Sequence, residues 1–136
     1  MVMTSEQLTG RCLCGALRYV CGRPVSQAAF CHCESCRRAA GAHIVAWMTV
    51  QRSSFRFTSG TAARYASSAP VMRQFCGRCG SPVTYWNEKS PDTIDVTLAT
   101  LDDPGAVTPV DHIWMADAVA WDRVTDGLPE HRAGRS

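Results

Sequence analysis

The sequence predicts an all-β fold of short antiparallel strands with one short helix, pinned by a metal site. Three observations carry that expectation. Apolar residues alternate over short stretches and rarely recur at helical spacing. Turn residues interrupt the chain at close intervals. Seven of the eight cysteines fall into CxC, CxCxxC and CxxC clusters, and a small β core gains from such a staple.

The elements follow in order. Residues 1 to 8 and about 128 to 136 read as loose ends. Leu17, Tyr19 and Cys21 alternate with Ala16, Arg18 and Val20, and Ile44 to Val50 is a compact apolar run. Phe55 and Phe57 flank Arg56, and Thr61 to Tyr65 and Val71 to Phe75 are short strands. A strand follows the CxxC, and Ile94, Val96 and Leu98 alternate with Asp95, Thr97 and Ala99. Gly22-Arg23-Pro24, Ser59-Gly60, Ser68-Ala69-Pro70, Ser90-Pro91-Asp92 and Asp103-Pro104-Gly105 mark the turns between them. The helix runs from Glu34 to Ala40 and is stopped by Gly41.

With 136 residues, no repeat and no internal linker, the chain is expected to form a single domain over 1–136, its core spanning about 10–130. MVMTSEQLTGRC has no basic start leading into an apolar stretch, so no signal peptide is expected. Ala42 to Val50 is far shorter than the ~18 residues a membrane span needs. A cytoplasmic protein with reduced thiols is expected, and spacings this close suit one metal ion better than disulfides to distant partners. The formal charge is +2, and thirteen of the fourteen basic residues are arginine. Thiolates holding zinc would turn that balance slightly negative. No aromatic-interleaved basic stripe is visible either, which argues against a nucleic-acid partner.

FCGRCGSPVTY is a zinc-knuckle pattern, with Cys76 and Cys79 bracketing a tight turn. Cys12 and Cys14, alternate residues of an extended segment, point the same way and supply the second pair. Four thiolates make a closed, structural zinc site. CHCESCRRAAG leaves Cys31, Cys33 and Cys36 with three ligands. The helix start together with Arg37 and Arg38 favours thiolate there. Three protein ligands and an exchangeable fourth are the arrangement of a catalytic zinc; the alternative is a second structural site closed by His43 or an unassigned group. His32, lying between two ligands, reads as a hydrogen-bonded non-ligand, and Cys21 as a small buried apolar residue.

GRCLCGALRY, CHCESCRRAAG, RQFCGRCGSPVTY, IDVTLATLDDP, DHIW and WDRVTDGLPE together resemble the glutathione-dependent formaldehyde-activating enzyme family, the GFA or CENP-V/GFA domain. The resemblance runs from about Gly10 to Glu130 and implies an Mss4-like β-tent. It also implies a structural zinc on Cys12, Cys14, Cys76 and Cys79, and a labile catalytic zinc on Cys31, Cys33 and Cys36 where glutathione binds. The implied reaction adds the thiol of glutathione to formaldehyde, giving S-hydroxymethylglutathione, formally a carbon–sulfur lyase run in reverse. Zinc could collect the thiol or polarise the aldehyde, and the two roles compete for one position. A zinc-stabilised binding module, or a carrier or sensor of small thiols, would use the same residues.

Other candidates have simpler readings beside functional ones. Asp102-Asp103-Pro104 is a turn more readily than a carboxylate pair. Asp111-His112 is either a base with its orienter or a structural hydrogen bond near a strand end. Trp47, Trp86, Trp114 and Trp121 are core or pocket wall. Arg37, Arg38 and Arg73 are surface residues or partners for the carboxylates of a peptide thiol.

Overall fold

The computed structural model describes residues 7–135. Ten strands lie among them: β1 (Gln7–Arg11), β2 (Arg18–Gly22), β3 (Ala29–Cys31), β4 (Val45–Gln51), β5 (Arg56–Ser59), β6 (Ala63–Ser68), β7 (Val71–Phe75), β8 (Pro82–Asn87), β9 (Thr93–Thr97) and β10 (Asp111–Ile113). One α-helix, α1 (Glu34–Ala40), follows β3 and ends on Gly41. Gly41 has φ +64°, a left-handed conformation that glycine adopts without a Cβ penalty. Helix and cap are as the sequence predicts.

The strands form two open sheets. The smaller has the order β1-β2-β5, the larger β10-β3-β4-β9-β8-β7-β6. All the pairings are antiparallel except β10 with β3. The core lies between the sheets, where Leu17, Tyr19 and Cys21 of the small sheet's side meet Met48, Val50, Val83, Ile94 and Val96 of the large one. Cys21 is fully buried there, as a small apolar residue would be.

Strand period makes the other face of the large sheet a separate surface. Thr49 lies opposite Asp95, Asp95 opposite Tyr85, and Tyr85 opposite Arg73, so four residues from four strands form one row across the sheet. Trp47, two residues before Thr49, sits opposite Ala29, and Val45 sits opposite Cys31. The candidate site grows on this face.

The described residues at both ends are ordered, against the sequence expectation. Residues 1–6 and 136 of those expected loose ends lie outside the described residues, but Gln7 and Leu8 already belong to β1. At the other end His112 N–H donates to Pro129 O and His131 N–H to His112 O, both at 2.8 Å. The tail thereby covers the free edge of β10. Arg135 then closes on Asp111, with Nε and Nη2 each 2.6 Å from a carboxylate oxygen. Asp111 is almost fully buried, and the Arg135 hydrogen bonds hold its carboxyl below the usual aspartate range against the opposing effect of burial.

Candidate metal centres and the adjoining cavity

The structure gathers Cys12, Cys14, Cys76 and Cys79, with all four sulfurs within 4.8 Å of one another. Cys12 Sγ is 3.7 Å from Cys14 Sγ, which is 3.8 Å from Cys76 Sγ. A tetrahedron with metal–sulfur bonds of ~2.3 Å has edges of about 3.8 Å. The donor set therefore fits a metal ion. Backbone N–H groups point at the sulfurs: Leu17 donates to Cys12 Sγ at 3.3 Å, and Arg78 and Cys79 donate to Cys76 Sγ at 3.4 Å. Gly80, at φ +83°, lets the knuckle turn back into β8. The segment around Cys12 and Cys14 is a turn and not the expected extended stretch, since Gly15 N–H donates to Cys12 O and Cys12 N–H to Leu17 O. The four sulfurs thus join the β1–β2 turn of one sheet to the β7–β8 turn of the other.

The second cluster is local. Cys31 ends β3, Cys33 is the N-cap of α1 and Cys36 lies in its first turn. Their sulfurs also lie within 4.8 Å of one another, with Cys31 and Cys36 3.7 Å apart. Cys36 N–H donates to Cys33 Sγ at 3.3 Å. Hydrogen bonds from Cys31 and Cys36 hold the Cys33 thiol far below its usual range. Cys33 pushes Cys31 up, and with burial it outweighs the lowering effect of Cys31 on Cys36. His43 does not complete this set; its Nε2 lies 3.2 Å from Asp122 and its ring packs on Trp121. Among the described residues the cluster has three ligands.

These three sulfurs line a cavity of about 680 Å³. Trp47 lines it with Thr49, Tyr85 and Asp95 of the cross-strand row, and Glu34, Arg38, Trp114, Asp117 and Arg135 are among its more exposed residues. The volume is within the ~300–1,000 Å³ typical of small-molecule sites. Burial pushes the Asp95 carboxyl above the usual aspartate range, against the pull of a 2.6 Å hydrogen bond from Thr49 Oγ1 to Oδ1. Trp47 and Tyr85 meet edge-on, with centroids 6.0 Å apart. Trp114 holds φ +59°, a costly conformation for a bulky side chain and one that tends to occur at functional sites.

Beneath the cluster, His32 is buried, with Nε2 2.8 Å from His112 Nδ1; His112 Nε2 is 2.8 Å from Asp126 Oδ2. The carboxylate accepts, so His112 carries its proton on Nε2 and accepts at Nδ1. His32 must then carry its own on Nε2. Burial lowers the His32 pKa and His112 adds to the effect, which keeps it neutral.

The remaining sequence candidates separate. Asp111 and His112 are not a base and its orienter, because Asp111 pairs with Arg135 and His112 with His32 and Asp126. Asp102 accepts from Thr9 and Asp103 caps a short turn. Trp86 stacks under Arg52 and lies away from the cavity, which Trp47 and Trp114 line. Arg38 reaches the cavity paired with Glu34, while Arg73 is buried behind Cys36. Sequence reading missed Asp95, Thr49, Tyr85, Asp117 and Arg135. The available signal was Asp95 itself, a carboxylate in the middle of an apolar strand.

The chain resembles known proteins. The sequence profile of the glutathione-dependent formaldehyde-activating enzyme family matches residues 7–117. A Schizosaccharomyces pombe protein named an uncharacterized lyase is 32% identical over 91 residues, covering 65% of this chain and 66% of its own length, just under two thirds of that relative. The crystal structure of a Rhodobacter sphaeroides protein superposes with a TM-score of 0.60 at 25% identity, over 70% of this chain and 88% of that one. No helix among the described residues is long and apolar enough to cross a membrane. On the breadth of the profile match, which includes both cysteine clusters, the chain belongs to the glutathione-dependent formaldehyde-activating enzyme family.

Proposed function

We propose that the chain is a cytoplasmic, zinc-dependent enzyme of carbon–sulfur lyase type that joins a small thiol such as glutathione to formaldehyde or a similar aldehyde. The observation that carries this reading is the opening of a three-sulfur metal set onto the large cavity. Cys12, Cys14, Cys76 and Cys79 would hold a structural zinc, and Cys31, Cys33 and Cys36 a catalytic one. Zinc on the three sulfurs would supply an exchangeable fourth position and Lewis acidity.

The chain's own groups do the rest. Arg38, Arg135, Glu34, Asp117 and Asp95 line the cavity, a mixed lining suited to a peptide thiol with carboxylates at its ends and an ammonium group. Trp47 and Tyr85 give the cavity an aromatic wall. The reaction forms a carbon–sulfur bond, opens the carbonyl π bond and moves the thiol proton to oxygen. Asp95 is the cavity carboxyl suited to hold that proton, at Oδ2, because burial favours its protonated form and Thr49 occupies Oδ1.

Formaldehyde consumption with glutathione tests the reading. The zinc-loaded protein should exceed the spontaneous rate, and Cys31→Ser should match the blank. A loaded protein that binds glutathione yet leaves the rate at the blank would instead be a thiol carrier or sensor.

A further inference from the structure

Arg73 lies on β7 with 8% of its surface exposed. Its Nε donates to Ser67 Oγ at 3.1 Å, and its Nη2 to Ser35 Oγ at 3.2 Å and to Cys36 Sγ at 3.7 Å. The guanidinium carbon stands 4.9 Å over the Tyr85 ring. Among the described residues, no carboxylate oxygen lies within 4.0 Å of it. A buried guanidinium without a counter-anion is costly, and two serine hydroxyls do not neutralise it. The anion within reach is the sulfur cluster.

We propose that Arg73 compensates the charge of the three-cysteine centre and so makes its open position select an anionic ligand, a thiolate, over a neutral one. This rests on the reading above that the cluster holds zinc. A divalent ion on three thiolates leaves one negative charge, which Arg73 cancels. A fourth thiolate would otherwise enter a site already negative; beside Arg73 it enters a neutral one. Water, imidazole or an aldehyde oxygen adds no charge and gains little from the arginine. Of the two roles open to the metal, collecting the thiol is therefore favoured, and the aldehyde falls to protein groups such as Asp95.

The geometry makes Arg73 specific for this task. Ser35 and Ser67 hold two edges of the fork, Tyr85 lies against its face, and a further N–H is left for sulfur. Arg73 is a positioning residue: its charge acts through Cys36.

The test uses protein with zinc in the four-cysteine site and Co²⁺ in the other, titrated with 2-mercaptoethanol as the anionic ligand and imidazole as the neutral one, each followed by the cobalt absorption spectrum. Arg73→Met should weaken thiol binding about tenfold or more, as loss of a charge-assisted contact does, while imidazole affinity changes less than about threefold. Arg73→Lys, which keeps the charge but not the fork, should lose clearly less thiol affinity than Arg73→Met. Equal weakening of both ligands in Arg73→Met, or no weakening of the thiol, overturns the proposal. If Arg73→Met does not fold, Arg73→Lys decides: a tenfold loss of thiol affinity contradicts a charge effect, and retention supports it. Wild-type protein that takes up no thiol at all would defeat the proposed function itself. Thiol uptake unchanged in Arg73→Met would defeat this inference alone.

Discussion

His112 Nδ1 accepts from His32 Nε2 at 2.8 Å, linking the residue between two cysteine ligands to the strand at the sheet edge. The contact fixes the backbone of the CxCxxC stretch from beneath. His112→Ala would leave His32 Nε2–H buried without a partner, beside a Nδ1 that has none among the described residues. A loss of about 1–3 kcal/mol is expected, read by chemical denaturation. Asp126 is 42% exposed on its side chain, and Asp126→Asn keeps an acceptor for His112, so that change should have little effect.

The two cysteine clusters differ in what they join. Cys12 and Cys76 are far apart in sequence and sit in turns of different sheets, so a metal between them closes a long loop and couples binding to folding. Cys76→Ser should give insoluble or thermally fragile protein. Cys33→Ser breaks a set whose members lie within six residues and should fold nearly normally. Thermal melts of the two variants side by side check this. Equal, full stability in both would remove the structural role of the first site.

Asp95 gives a pH signature. Its folded pKa lies above the ordinary 3.8, so the stability associated with its protonated form is fully present below that pH and is lost as pH rises through the folded value. Asp95→Asn cannot ionise and avoids the loss. Its melting temperature should exceed wild type at pH 7, with the difference shrinking as pH falls toward 3.8. The same variant cannot release a proton at Oδ2, and its activity with thiol and aldehyde should fall about a hundredfold. A melting difference independent of pH would contradict the assignment.

Apart from the pairing of Cys12 and Cys14 with Cys76 and Cys79, what the sequence disclosed was local. Glu34–Ala40 and its Gly41 cap follow from adjacent residues, and sulfurs at CxC and CxxC spacing converge because the chain between them is too short to do otherwise. The cavity was not legible, because Thr49, Asp95, Tyr85 and Arg73 meet only through the register of four strands. The ordering of the tail was hidden for a related reason. Arg135 finds Asp111 across 24 residues once the parallel pairing of β10 with β3 has set the edge. Arg73 shows both sides of this: an arginine near a CxxC is visible in sequence, but burial against Cys36 Sγ depends on β7 lying beside β8 and facing α1.

The central claim is that one cysteine cluster is closed and the other open to an outside ligand, and zinc counted on freshly purified protein before and after mild chelation tests it most directly. The account predicts up to two ions per chain, one resistant and one readily lost, with glutathione perturbing only the labile ion. Two ions that resist equally, with glutathione disturbing neither, would contradict it.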